Sequence, residues 1–383
     1  MYKRFLFLGL CLYFISGRAT AQLSKAEYYN KIDNAMYVLS KMYPHITEDS
    51  LVLFVNRKYT SNEDKVRAYS TWIALNVHYD MERFKDFSYM KLMNFRNASD
   101  LSQNADTVFR RRTAVCEGFS KLMNKLCAAS GIPSFMVVGY TRMPDADEVV
   151  TDILHAWNAV KVDSTWQLID ITWSNGYVHP VKGYVHRFSD KYFMTKPEVF
   201  VNDHWPLDAM WQLQEHPVSR RHFFKPDSAE TPGPVYYFND SIRRYIAQTE
   251  DGRRYMDFEH YHANEPGNTS YVQTLDIMVN NEAAEHLMSA SLYYEEFVEF
   301  YNKTLSKQMT AANLKKGKVM LEEARTYNNK AIEALKHKKA YTAQYQAIFA
   351  DMIKSTETNN KTISDGMSYL NSMQKQLKAS KGK

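Results

Sequence analysis

The sequence predicts a mixed helix-and-strand core carrying an all-helical C-terminal extension, on three changes of texture along its 383 residues. Residues 22–100 are polar and largely helical in pattern, whereas 101–225 break into short β-type runs around one strong helix. Residues 239–383 hold no proline beyond Pro266 and are rich in Ala, Lys, Glu, Met and Tyr, the composition of consecutive long helices. Pro226, Pro232 and Pro234 mark a linker over 226–238. With 45% hydrophobic and 24% charged residues the chain has the makings of a sizeable core, which excludes disordered and collagen-like classes.

The first 21 residues read as a signal peptide. Lys3 and Arg4 precede an apolar run from Phe5 to Ile15, and Ala19-Thr20-Ala21 supplies the small residues a signal peptidase requires, so cleavage is expected after Ala21. The apolar run is far short of the roughly 20 residues that span a bilayer, and no later segment approaches that length. An exported protein without a transmembrane span is therefore expected, in the periplasm, on the cell surface or in the medium. The formal net charge of +5 falls to about +2 once Lys3, Arg4 and Arg18 leave, too weak a field to argue for a nucleic-acid partner.

Cleavage also removes Cys11, leaving Cys116 and Cys127. Eleven residues apart on a helix they lie about 16 Å from one another, beyond the reach of a disulfide. In the N-terminal zone, Val66, Tyr69, Trp72 and Ile73 recur at helical spacing over Asp64–Val77, giving an amphipathic helix that stops near Asn76 before an extended Val77–Asp80. In the tail, Met320, Ala324, Tyr327, Ala331, Ala334, Tyr341, Tyr345, Ile348 and Met352 make the buried stripe of a helical bundle or hairpin. Its basic clusters read as solvated faces, with an envelope partner as the one contact they suggest.

The chemistry concentrates between Arg110 and Trp173. Cys116 opens a helix of about four turns whose apolar face is Phe119, Met123, Leu126 and Cys127, and Gly131 with Pro133 stops it. A cysteine at a helix N-terminus feels the positive end of the dipole, which favours thiolate, while Cys127 on the apolar face is a core residue. The runs from His155 to Val162 and from Thr165 to Trp173 read as strands joined by a two-residue turn at Asp163-Ser164. That turn sets Asp170 opposite Trp157 and diagonal to His155 on one face, within hydrogen-bonding reach. A histidine oriented by a carboxylate is the base a thiol nucleophile needs. The acidic stretch Asp145–Asp152 reads as a loop before His155. His179, His186 and His204 have no metal-ligand spacing and read as solvent-facing or core histidines; with no calcium or phosphate loop in view, no metal and no cofactor are expected.

These blocks resemble the transglutaminase-like superfamily of papain-related cysteine enzymes, in its exported bacterial branch. The resemblance rests on Trp72-Ile-Ala-Leu-Asn-Val-His-Tyr-Asp80, Val115-Cys116-Glu-Gly-Phe with Gly131-Ile-Pro, His155-Ala-Trp-Asn-Ala-Val and Leu168-Ile-Asp170-Ile-Thr-Trp173, with echoes at Tyr192-Phe-Met-Thr and Trp211-Gln-Leu. It covers about residues 60 to 215 and implies an α+β fold in which a nucleophile helix packs on an antiparallel sheet. It implies Cys116 as nucleophile, His155 as general base and acid, and Asp170 as the orienting carboxylate. The Cys116 backbone N–H is one expected oxyanion donor; the second is unassigned. Ala114 departs from the glycine many relatives carry two residues before the cysteine. The reading that follows is a thiol enzyme forming an acyl-enzyme on peptide or protein amides, with hydrolysis favoured over amine transfer. The alternatives are a non-catalytic binding or scaffolding module, and an envelope interaction protein acting through its tail.

Overall fold

The computed structural model describes residues 24–85, 101–142, 149–179, 183–226 and 233–381. The leader, residues 227–232 of the proline linker and residues 143–148, which include most of the acidic stretch, lie outside them. Val149–Asp152, expected in a loop, belong instead to a strand that runs through to Val162.

Three helices open the fold, each started by a side chain that satisfies its free N–H groups. Ser24 caps α1 (Lys25–Met42) in a capping box with Glu27, Thr47 caps α2 (Glu48–Lys58) and Ser61 caps α3 (Asn62–Asn76). α3 ends at Asn76 as its pattern predicts, but it is buried on every side and not on one face: Asp64 and Val66 through Ala74 are all buried. Most of the polar residues it buries are tolerated because they find partners from other elements. Arg67 forms a two-pronged pair with Asp33 at 2.8 and 2.5 Å and a further ion pair with Asp190 at 2.7 Å, and Thr71 donates to Asp33 at 2.6 Å. Arg67 thereby pins α1 and the short turn at Asp190–Tyr192 to α3.

β1 (His78–Tyr79) pairs in parallel with β2 (Thr113–Ala114), which follows α4 (Ala105–Arg111) and leads into α5 (Cys116–Ala129). The close of α5 follows the sequence signal, with Gly131 taking the positive φ of +70° that a side chain would resist. The main sheet has the order β8-β5-β4-β3-β9 with antiparallel pairings throughout, over β3 (Ser134–Arg142), β4 (Val149–Val162), β5 (Thr165–Ile169), β8 (Phe193–Thr195) and β9 (His204–Pro206). α5 lies against β3 and β4, burying Phe119, Leu122, Met123, Leu126 and Cys127 with Trp72 and Ile73 of α3. Short α6 (Ile171–Asn175) follows β5 and leads into a hairpin of β6 (Gly176–His179) and β7 (Gly183–His186). The hairpin is tied to the end of α3 by His186, whose Nε2–H donates to the Ala74 carbonyl at 3.0 Å.

Beyond the linker come α7 (Phe238–Ile246), α8 (Glu250–Asn264) and three long helices, α9 (Thr269–Phe300), α10 (Ala311–His337) and α11 (Ala343–Lys381). The long helices fold back on one another: Tyr293 stacks on Tyr327, Asn328 donates to the Thr356 carbonyl and Lys318 reaches Asn371. Of the predicted stripe Ala324, Ala331 and Ala334 are buried in the seam, while Leu321 and Phe349, one position along from Met320 and Ile348, take the deeper places. The helices are anchored to the sheet by the buried Glu265, whose carboxylate accepts from Tyr140 at 2.8 Å, Tyr271 at 2.9 Å and Arg220 at 3.0 Å. Among the described residues no helix is long and apolar enough to cross a membrane.

Candidate active site

Cys116 is the first residue of α5. Val115 precedes it in extended conformation and supplies no side-chain cap, so the positive end of the helix is left to the thiol. The approach to Cys116 is held from behind: the Val115 N–H donates to the buried Gln103 side chain at 3.0 Å. A Cβ at Gly118 would stand 2.5 Å from the same Gln103 oxygen and 2.7 Å from the Ala114 Cβ, so only glycine lets α5 lie this close to the strand that delivers the cysteine.

His155 and Asp170 come from the adjacent strand and the strand end beyond the turn. Val162 faces Thr165 across the two-residue turn and Asn158 faces Ile169, a register that sets Trp157 opposite Asp170 as predicted. Asp170 leaves β5 as the N-cap of α6, its Oδ1 accepting the Trp173 N–H at 3.1 Å. Its Oδ2 accepts from His155 Nε2 at 2.7 Å. With Nε2 committed to Asp170, the hydrogen bond between His155 and the Cys116 side chain falls to Nδ1. Asn158 sets the separation between helix and strand, its Nδ2 donating to the Ser120 carbonyl at 3.0 Å and to Asn124 at 2.9 Å, both on α5.

The site is nearly dry, with Asp170 0% exposed, Cys116 1% and the His155 side chain 11%. Burial by itself would lower the His155 pKa, but the Asp170 carboxylate and the Cys116 sulfur outweigh it and push the imidazole up to about 10. Burial would raise Asp170, yet its bonds to His155 and His204 hold it well below the usual carboxylate range. Tyr79 stands beside Cys116, stacked on Tyr184 with ring centroids 5.1 Å apart; burial, then the neighbouring Cys116, keeps its phenol protonated. Cys127 is fully buried, and burial pushes its thiol far up, as suits a core residue.

The structure thus brings together the three residues singled out from sequence. It adds His204, which sequence reading set aside. His204 is completely buried, with Nε2 3.1 Å from Asp170 Oδ2 and Nδ1 2.6 Å from Asp203 Oδ1. His186 lies with its backbone contact on α3, and the side chain of His179 is outside the described residues. His155, Asp170 and His204 offer three donor atoms within 4.8 Å of one another, the kind of set that zinc accepts. The nitrogen–oxygen separations are, however, those of hydrogen bonds, and protons account for them.

A model of the transglutaminase-like superfamily matches residues 50–171, a span that includes Cys116, His155 and Asp170. The chain is 29% identical over 169 residues to kyphoscoliosis peptidase of Mus musculus, covering 43% of this chain and 24% of that protein. It is 26% identical over 122 residues to hillarin of Drosophila melanogaster, covering 28% of this chain and 15% of that one. The aligned regions therefore span about a quarter or less of these relatives' length. Among solved structures, a TGase superposes with a TM-score of 0.26 at 22% identity, over 46% of this chain and 40% of that one. A Cytophaga hutchinsonii protein described as a candidate cysteine protease gives 0.22 at 21% identity, over 41% and 42%. Residues 50–171 of this chain are a transglutaminase-like domain.

Proposed function

We propose that this protein is an exported thiol enzyme that forms an acyl-enzyme on peptide or protein amides through Cys116, His155 and Asp170 and releases it to water. The observation that carries this reading is the His155–Asp170 bond of 2.7 Å at one edge of the imidazole with the Cys116 sulfur at the other. His155 keeps its proton to about pH 10, so in this mechanism the attacking species is Cys116 as thiolate and His155 is the acid beside it. The Cys116 sulfur attacks the amide carbonyl, a C–S bond forms, and the carbonyl π pair moves to oxygen. The His155 Nδ1 proton passes to the departing amine nitrogen as the C–N bond breaks, leaving a thioester and a neutral imidazole. Neutral His155 then takes a proton from water as the oxygen attacks the thioester; the C–S bond breaks with its electron pair on sulfur as the acid leaves, and His155 again carries the proton.

The developing oxyanion is assigned to the Cys116 backbone N–H at the helix start and, as second donor, to the hydroxyl of Tyr79, whose strand position pairs with Ala114 two residues before the cysteine. Tyr79→Phe is expected to slow acylation by p-nitrophenyl acetate about a hundredfold, on the scale of one lost oxyanion donor. Iodoacetamide alkylation, which develops no oxyanion, should stay within about twofold, and equal slowing of both reactions would refute the assignment.

The relatedness of the domain to a named peptidase supports hydrolysis over transfer. The deciding experiment offers the protein p-nitrophenyl acetate, and then casein with a fluorescent primary amine. The reading expects a Cys116-linked acetyl group by peptide mass mapping, turnover by water and fragments of casein. Amine incorporation without cleavage would make it a cross-linking enzyme. No acyl-enzyme at all would favour a binding or scaffolding module, and the exposed faces of the C-terminal helices would then be the place for an envelope partner. Export predicts a mature protein whose N-terminal residue is Gln22, read by mass spectrometry of the protein recovered from its native cells.

A further inference from the structure

We propose that His204 is a positioning residue of this site, a second imidazole held between Asp203 and Asp170 that locks the carboxylate orienting His155. The inference rests on the acyl-enzyme reading above. Both ring nitrogens of His204 face carboxylate oxygens, Nε2 at 3.1 Å from Asp170 Oδ2 and Nδ1 at 2.6 Å from Asp203 Oδ1. Asp203 also accepts from Tyr192 at 2.8 Å and Lys191 at 3.3 Å, so it remains an acceptor like Asp170. Each ring nitrogen thus has a carboxylate oxygen as its partner, and the nitrogen that faces Asp170 serves it as an N–H donor, because a carboxylate accepts.

The result is a buried line of partners, Asp203, His204, Asp170, His155 and Cys116, in which Lys191 at 3.3 Å also holds Asp203 at its far end. Aromatic rings enclose the His204 imidazole, with Phe200 4.2 Å, Trp173 4.6 Å, Trp157 5.1 Å and Tyr192 5.2 Å from its centroid, and hold it in place. Asp170 consequently receives three N–H groups, from His155 and His204 on Oδ2 and from Trp173 on Oδ1, and has no freedom to turn away from His155. His204 never touches a substrate; it acts through Asp170.

His204→Phe tests this in the full chain, because phenylalanine fits the aromatic enclosure and brings no N–H. The readout is the pH dependence of Cys116 alkylation by iodoacetamide, mapped by peptide mass with Cys127 as the internal reference. At pH 6 the rate should fall about tenfold or more, the scale of one lost charge-assisted hydrogen bond, and the acid limb should move to higher pH. In a His155→Ala background the same substitution should add nothing, since its effect passes through His155. Asp203→Asn, at the far end of the line, should shift the limb in the same direction by less, and it decides the matter alone if His204→Phe fails to fold. Wild-type profiles in the variants that fold would overturn the role of His204 while leaving the thiol chemistry standing. A wild-type protein whose profile matches that of His155→Ala would overturn both.

Discussion

His155→Ala is expected to cut the rate of Cys116 alkylation at pH 6 by about two orders of magnitude, because a thiol of ordinary acidity is ionised there to only about one part in 300. In the wild type His155 holds a proton beside the Cys116 sulfur, and Asp170 sustains that proton. The advantage should shrink as pH rises, to about twofold near pH 8.5, where the thiol of the variant is itself half ionised. The same proton makes a stability prediction of definite sign. A histidine raised in the folded state contributes stability in full below its unfolded value of about 6.5 and loses it as pH rises through the folded value. Urea unfolding at pH 6 and pH 10 should therefore show a fall in the wild type that His155→Ala lacks. A variant that alkylates like the wild type at pH 6 would remove His155 from the chemistry.

How far the site could be read from sequence follows from what fixes each contact. The meeting of His155 with Asp170 is a local consequence of a two-residue turn: once Asp163 and Ser164 close the hairpin, pairing Val162 with Thr165 propagates without a bulge to Asn158 and Ile169. Asp163 takes a φ of +53° there, a conformation aspartate tolerates better than most residues. Cys116 at a helix start is equally local, bounded by Val115 and Gly131. His204 is not local. It lies 34 residues beyond Asp170 and arrives because β9 joins the edge of the sheet beside β3, an event that leaves no mark in spacing or period. The burial of α3 was hidden for a related reason. Its polar residues break the apolar pattern, and only the fold supplies Asp33, Asp190 and Tyr28 as their partners. Sequence period reports which face is apolar, and a helix whose buried polar groups are paired from several sides escapes it.

Gly139→Ala is expected to be the most damaging small substitution in the sheet. A Cβ at this position would stand 2.1 Å from the Trp205 carbonyl oxygen, 2.6 Å from the Trp157 ring and 2.7 Å from the Pro206 Cα. Two of these three atoms are backbone and cannot swing aside, so the strain falls on the pairing of β9 with β3. Overpacking of this kind costs about 3 kcal/mol. Gly139 lies opposite Pro206 on one side and His155 on the other, which places it between the strand that carries His204 and the strand that carries the base. Displacing β9 draws His204 from Asp170, so the loss of stability should come with a loss of low-pH Cys116 reactivity under conditions where the variant is still folded. Gly267→Ala is the control: a Cβ there meets nothing within 4 Å, and both the urea midpoint and the alkylation profile should be unchanged. If Gly139→Ala kept the wild-type midpoint, the edge strand would be free to slide. The close approach of β9 would then not be what holds His204 against Asp170.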